Sequence, residues 1–258
     1  SWGDEWSDRG YSGITYEYID RFCRSAFYAE GCGDEEVNVP DANLKAKIKS
    51  EAKVTTDYIL ERDLCRLRSF DAANSGITNL TGMDHFHKLE ELALDSNSIA
   101  DLSPLSDLTQ LTALDGIDYN QVNDLSALAS MPNLEIFSAN TNNLGNEDLV
   151  HLSNLTKLEL LSLGSNHLTD ITDLASLINL TWLEIVDNQI TKIDALSNMI
   201  KLTELHLDRN QIDDLTPLAL LINIRELYLF QNNISDLTPL SNLRNLRLLM
   251  LDHNSISD

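Results

Sequence analysis

Cations are scarce in this chain: 18 Lys and Arg stand against 41 Asp and Glu, for a formal net charge of −23. That balance excludes nucleic acid and anionic membranes as expected partners, because both are held by basic surface that displaces counterions. Long apolar runs are missing. The longest, Leu218-Ala219-Leu220-Leu221-Ile222, is far short of the roughly 20 residues that cross a bilayer. No initiator Met and no basic segment followed by an apolar one opens the chain, so it reads as a mature or trimmed product. Catalytic signatures are also absent: there is no G-x-S-x-G, H-E-x-x-H, P-loop or C-x-x-C. The one close His pair, His85 and His87, lacks the further ligands a metal needs. The expectation is a non-enzyme with no cofactor and no metal. Yet 43% of the 258 residues are hydrophobic, too many for a disordered acidic tail.

What is abundant is leucine, with 46 residues. It recurs in the pattern Leu-x-x-Leu-x-Leu-x-x-Asn, whose first position falls at Leu89, Leu111, Leu134, Leu158, Leu180, Leu202, Ile224 and Leu246. The Asn recurs at Asn97, Asn120, Asn142, Asn166, Asn188, Asn210, Asn232 and Asn254. A Leu-x-Leu core of period two specifies a short strand with its leucines facing in. A repeat near 22 residues stacks such strands in parallel, one per coil of a solenoid. The Asn turns the chain out of the strand, and its amide both donates and accepts, so a column of Asn satisfies turn backbone that burial would orphan. Apolar positions at three-residue steps then suit a 3₁₀-like return on the convex side. There Pro104, Pro217 and Pro239 follow Ser or Thr, as expected behind a capping hydroxyl. One extra residue at Asp115-Gly116 reads as a bulge before an inward Ile117. Two extra residues in Gly145-Asn146-Glu147-Asp148 lengthen a loop or make a short helix.

The unit Leu202-Thr203-Glu204-Leu205-His206-Leu207-Asp208-Arg209-Asn210-Gln211-Ile212 resembles the bacterial internalin-type leucine-rich repeat. Val37-Asn38-Val39-Pro40-Asp41-Ala42-Asn43-Leu44 and Asp71-Ala72-Ala73-Asn74-Ser75-Gly76-Ile77 are similar to the N-terminal cap of secreted bacterial proteins of that kind. The resemblance covers about residues 37–258. It implies an α/β leucine-rich-repeat solenoid: a curved parallel sheet on the concave face, 3₁₀ and short helices with loops on the convex face, and a helical N-terminal cap. It also implies recognition of a protein on the concave face, without identifying that protein. Cytosolic phosphatase-regulating proteins use nearly the same repeat.

Three regions follow. Residues 1–36 form an aromatic-rich extension with a helix expected near 14–29. Residues 37–88 form the cap, with Asp41 capping a helix that buries Leu44 and Ile48, a second helix through Glu61–Leu67, and a degenerate repeat with Ser75 in the Asn column. Residues 89–258 hold about eight repeats. Asp258 stops where another inward Leu is due, so the parent chain is expected to continue. The three cysteines leave the pairing open. Cys23–Cys32 is taken first, Cys32–Cys65 second, and three free thiols third; a bond would leave one thiol over, expected at a buried Cys65. A column of Asp (Asp101, Asp124, Asp170, Asp214, Asp236, Asp258) reads as caps of the 3₁₀ turns rather than calcium ligands, since calcium-binding repeats are Gly-rich and this chain has only 10 Gly.

Outward strand positions have no structural reason to be apolar. Trp182, Val186, Tyr228, Phe230 and Met250 on the concave face, bordered by Glu184, Glu204, His206, Asp208 and Glu226, therefore form the candidate partner site. The expected function is a monomeric extracellular or surface-displayed adhesin-like module that binds a protein, such as a host or cell-surface protein. The alternatives are a cytosolic phosphatase-regulator-type scaffold and a glycan-binding surface protein.

Overall fold

The computed structural model describes residues 32–256. The helix expected near 14–29, Cys23 and Asp258 lie outside the described residues. Nine short strands form one sheet in chain order, each parallel to the next: β1 (Ser69–Asp71), β2 (Glu91–Ala93), β3 (Ala113–Leu114), β4 (Ile136–Ser138), β5 (Leu160–Ser162), β6 (Trp182–Glu184), β7 (Glu204–His206), β8 (Glu226–Tyr228) and β9 (Leu248–Met250). Register follows the leucine pattern: Leu160, Trp182, Glu204, Glu226 and Leu248 are partners in turn. The inward residues Leu161, Leu183, Leu205 and Leu227 are fully buried, as are Leu163, Ile185, Leu207 and Leu229.

Every coil leaves its strand through the same turn. The residue before each ladder position has positive φ, from Asn74 (50°) through Thr141 (54°) and Asp187 (55°) to His253 (60°), and none of these is Gly. The next residue is the ladder Asn, and its amide joins consecutive coils. Asn188 Oδ1 accepts from Leu168 N–H at 3.0 Å, while its Nδ2 donates to the carbonyls of Leu163 and Val186 at 3.0 and 3.1 Å. Ser75 heads the column without bridging, and its own N–H is held by Asn97 Oδ1 at 3.1 Å. On the convex side 3₁₀ turns follow, such as Ser103–Leu105 and Thr216–Leu218. Their caps come from the Asp column: Asp101, Asp124, Asp170, Asp214 and Asp236 each accept a backbone N–H two residues on, at 2.8 Å. The hydroxyl expected to cap Pro104, Pro217 and Pro239 does not; Ser103, Thr216 and Thr238 are themselves the first residues of the turns, and Asp supplies the acceptor.

The two insertions behave differently. Gly116 has φ 106° and a side chain there would overlap the Asp95 carboxylate, so the extra residue needs glycine. It shortens β3 to two residues and lets Ile117 remain fully buried. The second insertion becomes a one-turn helix, α3 (Asn146–Leu149), with Asp148 accepting from Gly145 N–H at 2.8 Å.

In the cap, α1 (Ala42–Glu51) buries Leu44 and Ile48. Asp41 does two jobs. One oxygen accepts from Asn43 and Leu44 N–H at 2.9 and 3.0 Å; the other accepts from Thr78 and Asn79 N–H at 2.8 and 3.1 Å. It thus pins the helix to the turn after β1. The second helix is shorter than expected: α2 spans Glu61–Leu64, capped by Asp63 accepting from Leu60 N–H at 3.0 Å. The cysteine pairing is also corrected. Cys32 is bonded to Cys65, with Cα atoms 6.0 Å apart, so the Cys23–Cys32 bridge does not form and Cys65 is no free thiol. The cause is a backbone pairing that sequence spacing hides: Glu36 bridges Leu60 antiparallel, and Arg62 N–H donates to Gly33 at 3.0 Å. This lays the segment around Cys32 beside the end of α2. The core then runs unbroken from α1 through Phe70 and Phe86, whose ring centroids are 5.3 Å apart, to Leu243.

Candidate concave-face site

Because alternate strand residues face outward, β6 to β9 present three columns of side chains on one surface. The first holds Trp182, Glu204 and Glu226, and the second Glu184, His206, Tyr228 and Met250. Val186, Asp208 and Phe230 lie two residues beyond in the third. Met250 is exposed and the other nine candidate residues are half-buried. The sheet brings three rings into one row. His206 lies parallel to Tyr228 with centroids 4.1 Å apart and planes 9° apart, and Trp182 leans against its other side at 5.4 Å. Phe230 is not in that row. It packs edge-on against His253 at 5.0 Å, a neighbour that leucine register alone did not point to.

The acids around these rings differ in role. Glu204 contacts His206 Nε2 at 2.7 Å, and the Tyr228 hydroxyl donates to Glu226 at 2.9 Å. That bond to a carboxylate raises the Tyr228 pKa. Both acids hold the polar edges of the ring row in place. Asp208 is a staple: its Oδ1 accepts from Phe230 N–H at 2.7 Å. Upstream, Asp118 does the same for Asn140 N–H at 2.7 Å, and Asn140 for Gly164 N–H at 2.5 Å. Ser138 and Ser162 add hydroxyl donors to Asp118 and Asn140 at 2.7 and 2.8 Å. The third-column acids therefore bind the next coil's backbone, a role that facing direction alone does not reveal. Burial raises the pKa of Glu184, with Asp118 and Asp208 adding to the rise and His206 opposing it. Burial also raises Asp208 against the hydrogen bond from Phe230. Among the described residues there is no group of three or more His, Cys, Asp or Glu that could hold a metal. No described helix is long and apolar enough to cross a membrane.

A family model described as "Leucine Rich repeats (2 copies)" matches residues 178–220, which include β6 and β7. Internalin C2 from Listeria monocytogenes is 34% identical to this chain, with a TM-score of 0.75 over 82% of this chain and 93% of that one. The chain belongs to the internalin family. Internalin F of the same organism is 30% identical, with a TM-score of 0.56 over 85% of this internalin and 77% of its relative. The functional domain of InlJ, also from Listeria monocytogenes and described as including a cysteine ladder, is 28% identical with a TM-score of 0.77; 88% of this internalin matches 50% of that chain. The plant peptide hormone receptor RGFR1, solved in complex with RGF2, shares the fold alone at 20% identity and a TM-score of 0.59. No curated protein sequence matches. An internalin-type solenoid of this kind is a protein-interaction module.

Proposed function

We propose that this internalin is a non-catalytic recognition module, exported to the outside or the surface of a bacterial cell, that binds a protein partner as a monomer through the concave face of β6 to β9. The observation that carries this reading is the row Trp182–His206–Tyr228, its polar edges held by Glu204 and Glu226. A half-exposed, pre-ordered aromatic row with a charged rim has the make-up of an interface hot spot. The Cys32–Cys65 bond supports export over a cytosolic scaffold, since cytosolic thiols are kept reduced. Glycan stacking is less favoured, because the face of Tyr228 toward His206 is already covered.

The test replaces Trp182, Tyr228 and Phe230 with Ala. Partners retained by the wild-type protein from host-cell or cell-surface extracts would be identified and then titrated by surface plasmon resonance. Loss of hot-spot aromatics should weaken binding by more than about thirtyfold, at roughly 2 kcal/mol or more per anchor, with an unchanged circular-dichroism melt. Unimpaired binding by the triple variant rejects the site.

A further inference from the structure

A second surface carries the opposite charge. On the flank where the chain enters its strands, a cleft of about 580 Å³ is lined by nine residues, four of them cations and none acidic. In a chain with 41 Asp and Glu against 18 Lys and Arg, a cleft with this lining is the exception. The cations are Lys201, Arg225, Arg244 and Arg247, all exposed. Among the described residues none of them pairs with a carboxylate: Lys201 donates to the Asn179 amide oxygen at 2.8 Å, and no ion pair engages the three arginines.

The repeat explains how they converge. The residue just before each strand stacks on its counterpart in the next coil: Arg225 N–H donates to Thr203 C=O at 2.7 Å and Arg247 N–H to Arg225 C=O at 2.7 Å. Coil stacking sets such neighbours about 4.8 Å apart, so two guanidinium stems rise side by side. Thr203 holds the same column one coil earlier, and Asn223 is fixed beneath by its amide donating to Ile200 C=O at 2.8 Å. Like charges directly opposite on neighbouring strands repel. An anion between them relieves that repulsion, and a guanidinium fork can engage two oxygens of a phosphate or sulfate at once.

We infer that this flank cleft is a binding site for a compact, multiply charged oxyanion, a phosphate- or sulfate-bearing small ligand, held by Arg225, Arg244, Arg247 and Lys201. It lies apart from the ring row and goes beyond the concave-face reading. The ligand is compact because Glu204 and Glu226 begin the strands that follow Thr203 and Arg225, and because the net charge of −23 repels an extended polyanion.

Isothermal titration of the whole chain at low salt, with inorganic pyrophosphate and separately with sucrose octasulfate, tests the site. Saturable binding of one or both is expected, weakening as salt is added. Arg225→Ala/Arg247→Ala should lower affinity by about tenfold or more. Lys157→Ala, which removes a cation on the same flank but outside the cleft, should leave it unchanged. Binding of pyrophosphate alone assigns a phosphate ligand and of octasulfate alone a sulfate ester. If the double variant fails to fold, Arg244→Gln and Arg247→Gln singly carry the comparison. No saturable binding of either probe, or equal affinity in the arginine variants, overturns the proposal.

Discussion

A ladder asparagine has two halves, and they are not equally replaceable. The Nδ2 half shares its acceptors. Leu163 C=O accepts from Asn166 at 3.1 Å as well as from Asn188 at 3.0 Å, and Ile185 C=O accepts from both Asn188 and Asn210. The Oδ1 half has no understudy, because Leu168 N–H has Asn188 as its acceptor and both residues are buried. Asn188→Ala should therefore cost about 1–3 kcal/mol, the penalty of one buried orphan donor. Asn254→Ala removes the same bond to Ile234 N–H, but Asn254 is half exposed and water can replace it. It should cost less. Urea midpoints of the two variants check this; equal losses would mean that burial of the amide does not set its worth. The same scale explains the turn before each Asn. Thr141, Asp187 and Arg209 hold left-handed backbone that favours Gly or Asn, and no local signal in the sequence marks them. Only their fixed place beside the ladder does.

Among the elements, the cap and the coils were unequally legible. Strand register, the buried columns, the Asp caps and the α1 helix follow from period and spacing, because each depends on contacts one coil away or nearer. The cystine does not. Cys32 meets Cys65 across 33 residues only because Glu36 pairs with Leu60, and nothing periodic announces a single antiparallel bridge. The candidate site is legible to the level of columns: register alone puts Trp182, His206 and Tyr228 on one face. That Asp208 staples a backbone N–H, or that Phe230 turns to His253, depends on rotamers that register leaves free. The cystine makes two measurable claims. Unreduced, unfolded protein should titrate one thiol per chain, that of Cys23, instead of three. Reduction should cost the cap about 2–4 kcal/mol and speed hydrogen exchange of the Leu44 and Ile48 amides. Exchange at Leu205 and Leu227 should respond much less, since a coil touches only its neighbours. Equal acceleration at all four amides would show that cap and coils unfold as one unit.

For the whole molecule, the excess of acid has two populations with opposite consequences. On the convex side, hydrogen bonds from Ser126, Thr172, Thr216 and Thr238 hold Asp124, Asp170, Asp214 and Asp236 below the ordinary carboxylate range. Their contribution is present above the unfolded pKa and is lost as pH falls through the depressed folded values. On the concave side burial raises Glu184, Asp208 and Asp95, and in α3 it raises Asp148. For these, the folded chain binds protons more readily than the unfolded chain, so stability falls as pH rises through the raised values. The two windows do not coincide. Acidifying from neutral pH first protonates the raised set, relieving repulsion in a chain of net charge −23, and reaches the convex caps only below about pH 4. The melting temperature should thus rise on mild acidification and then drop. Glu184→Gln removes one raised group: it should melt higher than wild type at neutral pH, and the difference should shrink as pH falls toward about 4. Melting curves of both proteins across that range decide the matter, and a wild-type melting temperature that only declines from neutral pH downward would show that the half-buried concave carboxylates do not govern the balance.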